Sequence, residues 1–219
     1  MDDKETTNER LIQAGIEAFA ANGFNGASTR MIAEKAGCNL AAIPYYFGGK
    51  EGLYLAVFER IAEFPNELLN PQIEAIRAFL KANERDPETA LGLLKQLLST
   101  MLELNCSHPA PHVQLITREQ LNPSSAFDIL YNKVIKREVN LISRLIAVIT
   151  GEDNRRTTTL QAFILIGQVM MFHHGRKVIF RHLDLQDYSA TDIGEIRQLI
   201  TAWIDKALKP KQTDSQIRT

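Results

Sequence analysis

The sequence predicts an all-α protein, on three observations. Apolar residues recur at helical spacing along most of the chain, glycines and prolines sit mainly between those periodic segments, and no alternating apolar run is long enough to make a strand. The chain has 219 residues, 45% hydrophobic and 23% charged, enough for one large domain or two small ones. At this length roughly 70% of the surface exposed by the unfolded chain can be buried, so neither a disulfide nor a structural metal is required. The two cysteines, Cys38 and Cys106, form no CxxC pair and point to a reduced, cytoplasmic setting.

The elements follow from caps and stripes. Thr6 and Glu9 form a capping box for a first helix from Thr7 to Asn22, whose stripe is Leu11, Ile12, Ile16 and Phe19; Gly23 provides a left-handed stop. A second helix is expected from Thr29 to Ala36, capped by Ser28 and ended by Gly37. The third begins after Asn39, a good N-cap, and ends at Phe47 before Gly48 and Gly49. The fourth opens at Lys50 or Glu51 and carries Leu53, Tyr54, Val57, Phe58 and Ile61, so four helices can close a small core. Pro65, Asn70 and Pro71 mark the expected end of that unit. Beyond it, helices are predicted near 72–83, 88–105, 112–121, 123–150, 155–174, 176–182 and 191–208. The 123–150 segment carries the clearest signals, with Asn122 as cap, Pro123 at the first position and Gly151 at the end. The expected domains are residues 1–64, residues 65–208 and a polar tail, 209–219.

Two short helices joined by a tight turn are common, but the spacing here is more specific. With Thr29 as position one, Ala33, Gly37 and Ile43 fall at five, nine and fifteen. A helix-turn-helix needs a small residue where its helices touch, a glycine free to take φ > 0 in the turn, and an apolar residue on the buried face of the second helix. Net charge is −1, and residues 1–60 hold six Lys and Arg against eight Asp and Glu, so any DNA contact rests on a local site. Ser28 to Lys50 is such a segment, with Arg30, Lys35 and Lys50 against Glu34 alone.

Three motifs, F-x-x-x-G-F from Phe19, S-T-R-x-I-A-x-x-A-G-C-N from Ser28 and Y-Y-F-G-G-K-E-x-L from Tyr45, make residues 7–60 resemble the DNA-binding domain of TetR-family transcriptional regulators. R-E-Q-L-N-P-S-S-A-F at Arg118–Phe127 and I-G-Q-V-M-M-F before His173 are similar to the CecR group of that family. The resemblance implies a bacterial, homodimeric, ligand-responsive repressor, with an N-terminal three-helix helix-turn-helix domain and C-terminal helices that dimerise and enclose an effector cavity.

Residue roles follow from groove chemistry and from that likeness. Arg30 is expected either to read guanine O6 and N7 or to touch phosphate, and Thr29, at a helix start, to bind phosphate. Leu40, Ala41 and Ala42 suit thymine methyls and close approach, or simply fill a short helix. Tyr45, Tyr46 and Lys50 match phosphate contacts of the family. Pro44 stands where the family often has tyrosine. Inside a regular third helix it would remove a hydrogen bond and clash near Leu40, at a cost of up to about 3 kcal/mol.

In the C-terminal half, Phe163 to Phe180 reads as apolar on every face, which implies burial on several sides. Gln168, Met171, Phe172 and His174 are the candidate ligand contacts there. Arg118 is expected to meet an anionic group or to pair with a carboxylate such as Glu119. No metal or cofactor is expected: His108 and His112 have ligand-like spacing, but Pro109 and Pro111 interrupt a regular helix and no Cys or carboxylate cluster accompanies them. No catalytic motif is found, so an enzyme is not expected. The longest nearly apolar stretch, Phe163 to Phe172, falls short of the roughly 18 residues of a membrane span, and the start MDDKETTNER is the reverse of a secretory signal. The competing reading is a metabolite-binding or protein-interaction helical module without sequence-specific DNA binding.

Overall fold

The computed structural model describes residues 6–83, 85–106 and 111–209. Among them every regular element is helical: α1 (Thr7–Gly26), α2 (Thr29–Lys35), α3 (Ala42–Phe47), α4 (Lys50–Lys81), α5 (Pro87–Cys106), α6 (Pro111–Leu121), α7 (Ser125–Leu130), a π-helical turn (Tyr131–Ile135), α8 (Lys136–Thr150), α9 (Arg155–His174), α10 (Arg176–Leu183) and α11 (Ala190–Ala207). No helix among the described residues is long and apolar enough to cross a membrane. Compactness divides the chain differently from the sequential expectation of 1–64 and 65–208. Unit 1 comprises Met1–Glu67 with Pro109–Lys136, and unit 2 comprises Leu68–His108 with Arg137–Thr219.

In unit 1, Leu11, Phe19, Ile32, Ile43, Leu53 and Phe58 are wholly buried, and Leu115 of α6 and Ala126 of α7 join the same cluster. Burying each of the large side chains contributes about 1.5–3 kcal/mol. Thr6 and Glu9 form the expected capping box, and Ser28 Oγ accepts from the backbone N–H of Met31 at 3.1 Å. Gly23 takes φ 71°, kinking α1, whose helical pattern resumes to Gly26 rather than stopping at Asn22. Gly37, in the turn after α2, takes φ 62°.

Pro44 does not strain the third helix as expected, because that helix starts later. Asn39 Oδ1 accepts from Ala41 N–H at 2.9 Å, and its carbonyl accepts from Ala42 N–H at 2.9 Å, making a tight turn ahead of α3. Pro44 is therefore the third residue of α3, where its missing N–H would have no intrahelical partner. Ile43 N–H bonds the Leu40 carbonyl at 3.3 Å, so the distortion is a single 3₁₀-type bond at the entrance.

Two other expectations change. Pro65, Asn70 and Pro71 do not break the chain: α4 runs through them to Lys81, with Leu69, Ile73 and Ile76 buried. One proline removes one backbone bond, and burial of that apolar stripe outweighs the loss. The 123–150 helix is capped not by Asn122 but by Ser124, whose side chain accepts from Ala126 N–H, and the π-helical turn interrupts it. Pro111 opens α6 at the first helical position, so His112 lies inside a helix, while His108, Pro109 and the tail from 210 lie outside the described residues.

In unit 2, α5 packs against α9 and α11. Burial of α9 is one-sided: Thr158, Ala162, Leu165 and Val169 face the core, whereas Leu160, Phe163, Ile164 and Met171 are about half exposed. The all-round burial expected from Phe163 onward is thus absent from the single chain.

Gly52 has a role that periodicity does not reveal. A Cβ there would stand 1.8 Å from the Phe47 carbonyl oxygen, so the end of α3 reaches α4 only because residue 52 has no side chain. Gly52→Ala is expected to lower the unfolding free energy of unit 1 by about 1–3 kcal/mol. Gly92→Ala, on an exposed part of α5 with nothing within 4 Å, is expected to raise stability by up to about 1 kcal/mol. Thermal unfolding of the two variants checks the opposite signs.

Candidate nucleic-acid interface

The helix-turn-helix puts its candidate contact residues on an accessible face while burying its own inner side. Ile32, Ala33 and Ile43 are buried; Arg30, Leu40, Ala41, Pro44, Tyr45 and Tyr46 are exposed, and Thr29, Ala42 and Lys50 are half-buried. Thr29 begins α2 directly after the Ser28 cap, the position from which backbone N–H groups and a hydroxyl can meet phosphate. Tyr45 and Tyr46 pack edge to face with centroids 4.9 Å apart, and Tyr45 is 80% exposed. So large an aromatic on the surface, packed on a second exposed tyrosine, suits a flat, polar contact.

The three cations of this region are all held by neighbours, Lys35 by Glu17 at 2.6 Å. Arg30 Nε donates to Glu34 Oε1 at 2.9 Å, one turn along α2, an exposed pair that water and salt weaken. Lys50 lies at the start of α4, where a helix N-terminus disfavours positive charge. Its Nζ sits 4.7 Å above the ring of Phe24, whose negative face offsets that field.

Beneath Lys50 the sequence hid a buried polar centre. Phe24 meets Tyr54 edge-on at 5.0 Å, and Tyr54 meets Phe19 at 4.9 Å. The Tyr54 hydroxyl donates to Glu119 Oε1 at 2.8 Å. Glu119, 2% exposed, also accepts from Ser124 N–H at 2.9 Å and from Ser124 Oγ. Burial, together with that hydrogen bond to Glu119, pushes the Tyr54 hydroxyl far above the ordinary phenol range, so it remains a donor. R-E-Q-L-N-P-S-S is therefore a fastening of α6 and α7 to α1 and α4.

Arg118 does not pair with Glu119. Its Nη1 donates to the Phe19 carbonyl at 3.0 Å, satisfying α1 near its kink. Gly23, at φ 71°, leaves room for this approach, since a Cβ there would lie 2.7 Å from Nη1 and shift the arginine. Arg118, Glu119, Tyr54, Phe24 and Glu51 share the wall of a cleft of about 480 Å³.

The other candidate ligand residues belong to unit 2 and divide between two faces of α9. Gln168 and Phe172 flank the buried stripe, and the Phe172 carbonyl accepts from the Tyr188 hydroxyl at 3.0 Å. Met171 and His174 lie on the opposite, exposed face with Leu160, Phe163 and Ile164. No group of three His, Cys, Asp or Glu able to hold a metal is present among the described residues.

Residues 11–57 match the model of the tetR family of bacterial regulatory proteins, and residues 90–209 match the C-terminal domain of the HTH-type transcriptional dual regulator CecR. The chain is 33% identical over 207 residues to the CecR regulator of Shigella flexneri, covering 94% of this chain and 92% of that protein. It is 29% identical over 118 residues to the transcriptional repressor NicS of Pseudomonas putida, 54% of this chain and 50% of that one. Among solved structures, AibR in complex with isovaleryl coenzyme A and operator DNA superposes with a TM-score of 0.63 at 12% identity, covering 94% of this chain and all of that one. A TetR-like regulator from Rhodococcus gives 0.62 at 19% identity, over 95% and 100% of the two chains.

Removing only the hydroxyl of Tyr54 leaves a buried carboxylate short of one donor. Tyr54→Phe is expected to cost about 1.5–3 kcal/mol in urea unfolding, and Tyr45→Phe, on the exposed face, less than about 0.5 kcal/mol.

Proposed function

Because the chain belongs to the TetR family of bacterial transcriptional regulators and carries the CecR-type C-terminal domain, we propose that it is a homodimeric repressor, released from a pseudo-palindromic operator when a small molecule binds its C-terminal helices. The observation that carries the reading is the accessible face of α2 and α3, with its inner side buried against α1 and its edges set by Asn39, Gly37 and Gly52. Two such faces about 34 Å apart enter successive major grooves.

Arg30 reads a guanine edge after leaving Glu34, while Leu40, Ala41, Ala42 and Pro44 meet thymine methyls or lie close to the bases. Thr29, Tyr45, Tyr46 and Lys50 hold the phosphates and set the register. The acidic surroundings of these few cations keep non-specific binding weak.

The second copy covers the outer face of α9, where Leu160, Phe163, Ile164 and Met171 are about half exposed, together with Leu199 and Trp203 of α11. Solvated, these side chains would form an apolar patch unusual for a monomer, and a stable dimer needs about 800 Å² from each partner. Gln168 and Phe172, on the other side of α9, are the ligand contacts this arrangement favours, and Met171 and His174 fit the dimer face better. The effector acts through unit 1 by moving α6 and α7, which hold Lys50 in place through Glu119, Tyr54 and Phe24. Taking the DNA-competent state from 99:1 to 1:99 requires about 5.5 kcal/mol of differential binding, and partial release requires less.

Selection of duplexes from a random pool supplies the operator for testing. Arg30→Ala is expected to cost about 1–3 kcal/mol and to relax preference at one base pair; Lys50→Ala is expected to weaken all duplexes alike and to reduce the salt slope by about one. Equal loss of specificity in both variants would refute the assignment. Phe163→Glu is expected to give a helical monomer by sedimentation that no longer retains the selected duplex; a dimer of unchanged affinity would place the interface elsewhere.

A further inference from the structure

Buried polar side-chain atoms without a hydrogen-bond partner are rare in folded proteins, and each calls for an explanation. Among the described residues they occur on Gln72, Arg137, Gln161, His173 and Arg197, all of them in unit 2. Gln72 and Arg197 still bond through another atom, to Thr100 and Glu103. Arg137 is different. Both Nε and Nη2 are sealed from solvent with no acceptor, and no ion pair of the side chain is found among the described residues. Those two nitrogens form one edge of the guanidinium, with parallel N–H groups spaced for the two oxygens of a carboxylate or phosphate.

Two carboxyls, Glu138 and Glu74, lie within electrostatic reach of that charge, but neither hydrogen-bonds the open edge. Glu74, on α4, already accepts from Arg77 Nη1 at 2.7 Å. Glu138 is the neighbouring carboxyl, and loss of water pushes it up to about 7 against the pull of Arg137, so its charge is only partial near neutral pH. Arg77 adds a second cation to the same field. A water molecule could accept the two hydrogens but would leave the positive charge unbalanced, which an oxyanion does not.

We propose that Arg137 anchors an oxyanion site in unit 2, gripping the carboxylate or phosphate of the effector side-on through Nε and Nη2. The proposal rests on the reading that an effector binds the C-terminal helices, and it gives that effector a chemical class. Arg137, not Arg118, is then the anion-binding arginine, since Arg118 is committed to the Phe19 carbonyl in unit 1.

The test uses the full-length protein in chloride buffer, with inorganic phosphate, sodium hexanoate and the neutral hexanamide as probes. At least one anion is expected to raise the melting temperature of the wild type by about 2–4 °C, with phosphate against hexanoate separating the two oxyanion sources. Hexanamide is expected to do nothing. Arg137→Lys keeps the charge but loses the fork, and a response reduced at least tenfold in apparent affinity is expected; Arg137→Met is expected to abolish it. Without probes, Arg137→Met is expected to melt at or above the wild-type temperature, because it removes two sealed N–H donors that have no acceptor. A wild type that answers neither anion, an Arg137→Met variant that still answers, or an unliganded Arg137→Met variant that melts well below wild type would each overturn the site. These melts need no DNA. Release of the selected duplex is followed in parallel: a neutral compound that releases wild type and Arg137→Met equally would leave the effector reading standing and remove the anion site.

Discussion

A carboxylate with 2% of its surface exposed is tolerable only when its oxygens are occupied by donors, and Glu119 meets that condition in one arrangement of its neighbours. The donors come from Tyr54 on α4 and from Ser124 ahead of α7, while Glu119 itself stands on α6. A shift of α6 or of the α6–α7 turn by more than a fraction of an ångström would leave a buried charge without a partner. A graded hydrophobic contact would slide; this one holds or breaks. The fastening of α6 and α7 to α4 within unit 1 is in that sense all-or-none.

The same centre explains the aromatic packing around it. Phe19, Phe24 and Phe58 surround the Tyr54 ring at 4.9–5.0 Å, which excludes water from the hydroxyl and strengthens its bond to the carboxylate. Phe24 in turn presents its face to Lys50. Arg118, one residue before Glu119, fastens the other side of α6 to the carbonyl of Phe19. Consecutive residues of one short helix thus hold both a charged centre and the Phe19 carbonyl before the kink of α1, and Gly52 supplies a close approach to the Phe47 carbonyl that a side chain would block.

Much of the fold could be read from caps and spacing. The Thr6–Glu9 box, the Ser28 cap, the left-handed Gly37 and the span 155–174 all appear where local chemistry places them, because each is decided within one turn of chain. What escaped depended on distant partners. The continuity of α4 through Pro65 and Pro71 is enforced by burial of Leu69, Ile73 and Ile76, which no local signal at a proline reveals. Asn39 was legible as a capping residue, but its use as a turn that starts α3 three residues later, and so makes Pro44 harmless, was not. The exposed candidates for DNA contact, Arg30 and Tyr45 above all, were legible because their types and spacing suit phosphate and base edges directly. Glu119, Tyr54 and Ser124 were not, since a glutamate 65 residues from its tyrosine carries no periodic signal. Likewise α9 reads as apolar all round in sequence, and only the packed chain separates Gln168 and Phe172 from Met171 and His174.

The claim most exposed to refutation is that the Glu119 centre fixes the position of Lys50 on DNA. A double-mutant cycle on affinity for the selected duplex, with Lys50→Ala, Glu119→Gln and the pair, measures it directly. The account predicts that Lys50→Ala costs less in the Glu119→Gln background than in the wild type, with a coupling above about 0.5 kcal/mol. Additive losses, agreeing within about 0.3 kcal/mol, would show that the lysine finds its phosphate without the carboxylate and would contradict the account.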